Sequence, residues 1–402
     1  MARFLFAVPP LHGHVNPTVA VGAELVARGH QVAWVGPPAM LDRLLPDGAL
    51  LLPAGEELGD DTLSIGLERT ANMRGPAAFQ FLWESFLIPL ARITASGTEA
   101  AADSFAPDVL VADQQAIAGA IAARRQGITW ATSATTPAEL SRPFELLPKL
   151  GEWVRELLVG IQLELGVPEE QAVQGDLRFS DQLILAFTSE LLMGPATASV
   201  PPATAFVGPA FGGRPPAAEF PWEWLDPGSA KVLVSLGTVN VGVGDRFFAA
   251  VIEALDGLWV KGPDGDRPVQ AVLVGSPERF ADVPDTVLVR DSVPQLDLLP
   301  HLDAVLCHAG NNTVCESLAQ GLPLVLAPIR DDQPIVAEQV VGAGAGIRVR
   351  FGRARADELR QVLTEVLVEP SYRLAAERVR LSFAAAGGAP AAAERLVALA
   401  GR

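Results

Sequence analysis

The chain is 402 residues long, 49% hydrophobic and 19% charged, with a formal net charge of −17. That length suits two domains of about 200 residues each, and so much apolar surface excludes a disordered chain. An acidic surface repels phosphate backbones and anionic lipid, so nucleic acid is not an expected partner and any polyanion has to be met at a local site.

The first segment, Arg3 to Pro9, is a continuous apolar run that reads as a buried strand. It breaks at Pro9 and Pro10 without the apolar core and cleavage site of a signal peptide. No uncharged run anywhere reaches the ~18 residues of a membrane span, so a cytoplasmic protein with no integral membrane segment is expected. A polar loop follows over Leu11 to Pro17, then a helix from Thr18 to Arg28 that Gly29 ends, then a short strand over Gln31 to Val35. This βαβ unit implies a parallel sheet with right-handed crossovers. Further strands are expected at Val109 to Ala112, Thr129 to Ala131 and Gln182 to Thr188. Two segments, Thr62 to Ser96 and Ser141 to Glu170, have helical spacing instead. The first holds the aromatic cluster Phe79, Trp83 and Phe86, which suits either an apolar pocket or a plain helical core.

Between Met193 and Asp226 the composition shifts to Pro, Ala and Gly, as in an extended linker, which places a domain boundary near residue 210. A second α/β series then runs through Lys231 to Ser235, Gln270 to Val274, Thr286 to Val289, Ala304 to Cys307 and Pro323 to Ala327. Open α/β sheets bind ligands beyond the carboxyl ends of their strands, and two segments there carry chemistry. His308-Ala309-Gly310-Asn311-Asn312-Thr313 follows an apolar strand and opens a helix, so its backbone amides and the helix dipole can take up a diphosphate without many lysines. Asn312, Thr313 and His308 add side-chain donors, and Glu316 lies one turn inside, placed to accept from ribose hydroxyls; helix capping by Asn311 or Asn312 is the plainer alternative. Asp332 and Gln333 can grip vicinal sugar hydroxyls. The cysteines Cys307 and Cys315 are too few for a four-ligand zinc site and read as reduced packing residues.

Residues 287 to 341 resemble the donor-binding signature of family 1 glycosyltransferases of the GT-B fold. The match runs through Val293-Pro294-Gln295, Leu299-Pro300-His301, His308-Ala309-Gly310, Asn312-Thr313, Glu316, Gly321 to Pro323 and Asp332-Gln333. Gly13-His14-Val15-Asn16-Pro17 and Leu25 to His30 are similar to the start of bacterial antibiotic and macrolide glycosyltransferases. The resemblance implies two Rossmann-like domains facing across a cleft, an acceptor-binding domain over 1–209 and a nucleotide-sugar-binding domain over 210–385. Residues 386–402 would form a C-terminal helix packing back on the first domain. His14 would be the general base for the acceptor hydroxyl, with His12 as its rival, and Asp113, 99 residues later, would orient it. Asp113 also suits the N-cap of a helix beginning near Gln115.

On the donor side the resemblance implies a diphosphate loop at Ser235, Gly237 and Thr238, and phosphate contacts from His308, Gly310, Asn311, Asn312 and Thr313. Glu316 would hold the ribose, and Asp332 with Gln333 the hexose. Ser292 stands where many relatives stack an aromatic on the base, so base recognition falls to Val293, Gln295 and Ser276. The expected activity is an inverting, metal-independent hexosyl transfer from a UDP- or dTDP-sugar to a hydroxyl of a lipophilic small molecule, with no cofactor. His12, Phe79, Trp83 and Phe86 would line the acceptor side, and a homodimer is an admissible assembly. The rival readings are a non-catalytic helper of a partner glycosyltransferase and a sugar-nucleotide epimerase.

Overall fold

A computed structural model describes residues 1–55, 73, 75–143, 147–213, 219–237, 244–262, 265–280 and 282–401. The chain forms two compact units, Met1–Pro215 together with Ala385–Arg402, and Pro216–Ala384. No helix among the described residues is long and apolar enough to cross a membrane.

The first unit is built on a seven-stranded sheet of β1 (Arg3–Ala7), β2 (Gln31–Gly36), β3 (Leu51–Pro53), β4 (Val109–Asp113), β5 (Trp130–Ala134), β6 (Ile184–Ala186) and β7 (Thr204–Phe206). The strands run parallel in the order β3-β2-β1-β4-β5-β6-β7. Because side chains alternate across a sheet, Phe4 and Phe6 of β1 enter one core and Leu5 and Ala7 the other. Helices α1 (His12–Ala27) and α10 (Gly388–Ala400) cover the first face, where Val15 and Val19 share a core with Ala392, Leu396 and Leu399. Helices α2 (Ile88–Phe105), α3 (Ile117–Gln126) and α4 (Pro148–Glu164) supply the second. Gly119 lets α3 lie close on the sheet, since a methyl there would stand 2.6 Å from Cβ of Ala7.

The second unit repeats this plan. Strands β8 (Ala230–Ser235), β10 (Gly265–Val274), β11 (Val287–Arg290), β12 (Ala304–Cys307), β13 (Leu324–Leu326) and β14 (Gly346–Arg348) are ordered β11-β10-β8-β12-β13-β14, and β9 (Trp259–Gly262) pairs antiparallel with β10. Helices α5 (Asp245–Leu255), α6 (Asn311–Ala319), α7 (Gln333–Gly342), α8 (Ala356–Val368) and α9 (Pro370–Ala386) complete it. In each sheet the chain winds outward on one side, then returns to the other side of its first strand. The turning points lie between β1 and β4 and between β8 and β12, where such folds open a crevice at the carboxyl edge.

Three expectations change. The loop expected over Leu11 to Pro17 is already helix, because α1 starts at His12 with His14 N and Val15 N both donating to the Leu11 carbonyl at 2.9 and 3.0 Å. Pro17, expected as the last residue of that loop, sits inside the helix, where it cannot donate to the Gly13 carbonyl. The supposed linker after Met193 contains β7, an edge strand whose pairing with β6 no local pattern announces. Asp113 does not cap α3, whose N-cap is Ala116; it accepts instead from Gln115 N in the turn before the helix. Of the aromatic segment, residues 62–72 and 74 lie outside the described residues.

Candidate active site

At the carboxyl edge of the first sheet, α1 puts His14 in its first turn and β4 ends on Asp113. His14 Nδ1 lies 2.9 Å from Asp113 Oδ1, and both side chains are buried. A third group joins them. The Thr135 hydroxyl, on the residue after β5, donates to Asp113 Oδ2 at 2.6 Å and stands 2.7 Å from His14 Nδ1. Gln115 N donates to Asp113 Oδ1 at 2.9 Å, so the carboxylate is held on both oxygens. Nearby, Arg178 donates to Glu139 at 2.9 Å and to Asp176 at 2.6 Å, a buried ionic group within electrostatic reach of His14. Burial pushes the Glu139 carboxyl above the usual range against the pull of Arg178.

At the carboxyl edge of the second sheet, His308 follows β12 and the chain reverses at Ala309, a left-handed residue with φ of 66°. An alanine there costs roughly 1–2 kcal/mol, a strain kept by the fully buried surroundings. The turn sets Gly310 as N-cap of α6 and lays its backbone against the His308 ring. A methyl at Gly237 would stand 2.5 Å from ring carbon Cε1, and one at Gly310 would overlap Nε2, so the imidazole is held between two glycine backbones. Burial lowers the His308 pKa to about 4, with a hydrogen bond to the Ser235 backbone opposing and the Arg330 charge assisting. The ring is therefore neutral at pH 7 and offers an N–H donor rather than a charge.

With a folded pKa below the unfolded value of about 6.5, the neutral ring contributes fully above that pH, and its contribution is lost as pH falls toward 4. Thermal unfolding between pH 7 and 4.5 should fall less steeply for His308→Gln than for the native chain; parallel curves would remove the neutral ring.

Around this cradle Gln295 Nε2 donates to Glu316 Oε2 at 2.6 Å, joining the two residues expected at the base and ribose. Gln333 Oε1 accepts from Ile329 N and Arg330 N at 2.9 and 3.1 Å, so its carbonyl braces the loop after β13 and its amide nitrogen is the end it can present to a ligand. Ser276 donates to Glu278 at 2.6 Å. No group of three or more His, Cys, Asp or Glu among the described residues is arranged to hold a metal ion.

Comparison with known proteins now bears on this geometry. Residues 269–399 match the family described as erythromycin biosynthesis protein CIII-like, C-terminal domain. The chain is 28% identical to the 4′-demethylrebeccamycin synthase of Lentzea aerocolonigenes, over 96% of each chain. It is 29% identical to the demethyllactenocin mycarosyltransferase of Streptomyces fradiae, over 98% of this chain and 86% of that one. The solved structure of the calicheamicin glycosyltransferase superposes with a TM-score of 0.76 at 24% identity, covering 100% of this chain and 99% of the other. The chain has the GT-B fold and is a glycosyltransferase, similar to those of antibiotic and macrolide biosynthesis.

Within the glycosyltransferase, the donor-side residues expected from sequence gather at one sheet edge: Ser235 at the end of β8 and Gly237 after it, Ser276 after β10, Val293 and Gln295 after β11, His308 to Thr313 and Glu316 around the start of α6, and Asp332 with Gln333 at the start of α7. Thr238 lies outside the described residues. Gly310, not Asn311 or Asn312, is the N-cap of α6, with no side-chain cap. On the acceptor side one expectation is corrected. Trp83 is fully buried in the core of the first unit, with Phe79 tilted against it at 6.1 Å and Phe86 half-buried beside it, so its indole is packing rather than pocket wall. His12 is exposed. Cys307 and Cys315 are buried thiols outside any disulfide, and burial pushes their pKa values up. Sequence reasoning missed Thr135, Glu139 and Arg178, which lie 121 to 164 residues from His14 in the chain and carry no motif.

Proposed function

We propose that this glycosyltransferase moves a hexose from a UDP- or dTDP-sugar to a hydroxyl of a lipophilic natural-product alcohol, with inversion and without a metal. The observation that carries the reading is the buried contact of His14 Nδ1 with Asp113 at 2.9 Å, which leaves Nε2 as the basic end of the ring. Nε2 takes the acceptor O–H proton, the oxygen bonds to the anomeric carbon, and the bond from that carbon to the β-phosphate oxygen breaks with its electron pair. The nucleoside diphosphate leaves, and the anomeric centre inverts because attack and departure are on opposite faces. An alcohol needs the base because its own pKa lies far above neutral.

Charge on the leaving diphosphate would be met by the amides opening α6, its dipole and the His308 N–H, preset donors that need no reorganisation. Glu316 with Gln295 would hold the nucleoside and Asp332 with Gln333 the sugar. An apolar recess lined by Val8, Pro37, Leu90, Thr94 and Ile117, adjoining the Gln115 turn next to Asp113, supports a lipophilic acceptor. So do the relatives, whose names are those of a demethylrebeccamycin synthase, a mycarosyltransferase and an oleandomycin glycosyltransferase.

Purified chain incubated with UDP- and dTDP-hexoses and a panel of apolar alcohols should give a product one hexosyl unit heavier, of inverted anomeric configuration by NMR and undiminished by a chelator. Donor turnover to an isomeric nucleotide sugar would instead indicate an epimerase. Activity that appears only on adding a partner transferase would indicate a helper.

A further inference from the structure

We infer that Thr135 is a positioning residue that sets the tautomer of His14: its hydroxyl gives its one proton to Asp113 and receives the ring's Nδ1 proton, which keeps Nε2 unprotonated for the acceptor. The inference rests on the proposed role of His14 as base.

A hydroxyl has a single proton and lone pairs for the rest of its bonds. The 2.6 Å contact with Asp113 Oδ2 takes that proton, so at 2.7 Å the same oxygen turns a lone pair toward His14 Nδ1. Asp113 Oδ1 also faces Nδ1 with lone pairs, at 2.9 Å. Two acceptors on one nitrogen are satisfied only if that nitrogen carries the hydrogen. The carboxylate cannot swing away, since Gln115 N holds Oδ1 at 2.9 Å. Thr135 is itself buried and fixed at the end of β5, whose register with β4 pairs Asp113 with Ser133.

With valine at 135 the hydroxyl acceptor is removed while Asp113 Oδ1 still faces Nδ1, so the Nδ1–H tautomer is held less firmly. Serine keeps the hydroxyl and with it both bonds.

The test uses the full chain labelled with 15N-histidine, with His14 assigned among the five histidines by its loss in His14→Asn. Long-range 1H–15N spectra of the neutral ring should show Nδ1–H in the native protein and in Thr135→Ser, and a larger share of Nε2–H in Thr135→Val. Thr135→Val should lower kcat about tenfold at unchanged donor KM, while Thr135→Ser stays near native. An unchanged tautomer or a native kcat in Thr135→Val would overturn the assignment. A native chain that transfers no sugar yet shows this shift of tautomer on Thr135→Val would refute the functional reading and leave the positioning role standing.

Discussion

His14→Ala is expected to lower kcat about 10²- to 10⁴-fold while the dissociation constant of the nucleoside diphosphate stays within about twofold of native. The size of the effect comes from what an alcohol lacks: at neutral pH almost none of it is alkoxide, so the barrier contains the whole proton transfer. The separation of rate from affinity comes from where the residue sits. His14 belongs to α1 of the first unit, whereas the donor-side cluster is built entirely from β8, β10 to β13, α6 and α7 of the second. Calorimetric titration with UDP and dTDP alongside single-turnover kinetics would check both halves. Retention of native turnover would transfer the base role to His12, the exposed residue two positions earlier.

Gly310→Ala should weaken nucleoside diphosphate binding about 10- to 100-fold, roughly 1–3 kcal/mol, with little change for the nucleoside alone. The backbone at Gly310, with φ of −66° and ψ of 135°, accepts any residue, so the cost is purely one of space. The new methyl overlaps the His308 ring, and the ring cannot retreat because Gly237 closes its other side. Either the imidazole turns out of the cradle or the amides opening α6 do, and in both cases a phosphate donor is lost. Gly237→Ala should be at least as damaging, since its φ of 75° adds backbone strain to the same clash. Matched affinities for diphosphate in native and Gly310→Ala proteins would separate His308 from phosphate binding.

Much of the architecture was readable because a buried parallel strand is a continuous apolar run, and Arg3 to Ala7, Lys231 to Ser235 and Ala304 to Cys307 are such runs. Boundaries read less well where local signals conflict. Gly13 and Pro17 gave residues 11–17 the look of a loop where the helix had already begun at His12, and the Pro-rich stretch after Met193 hid β7, which exists only by pairing with β6. The donor side was legible as one segment because α6 follows directly from β12, so the cradle residues are neighbours in the chain. The aromatic cluster misled for the opposite reason: spacing places Trp83 on a helix but says nothing of which face meets the sheet.

By itself, then, the sequence determined the two α/β halves, the order of their strands along the chain, and the helix mouth after Cys307, all of which depend on contacts within a few residues. Only the tertiary structure decided what surrounds His14. Thr135 reaches it across 121 residues through the β4 and β5 pairing, and the imidazole of His308 meets Gly237 through the pairing of β12 with β8. Hydrogen-bond partners and ring contacts are set by distances of 3 Å between segments remote in sequence, and linear order holds no record of such distances.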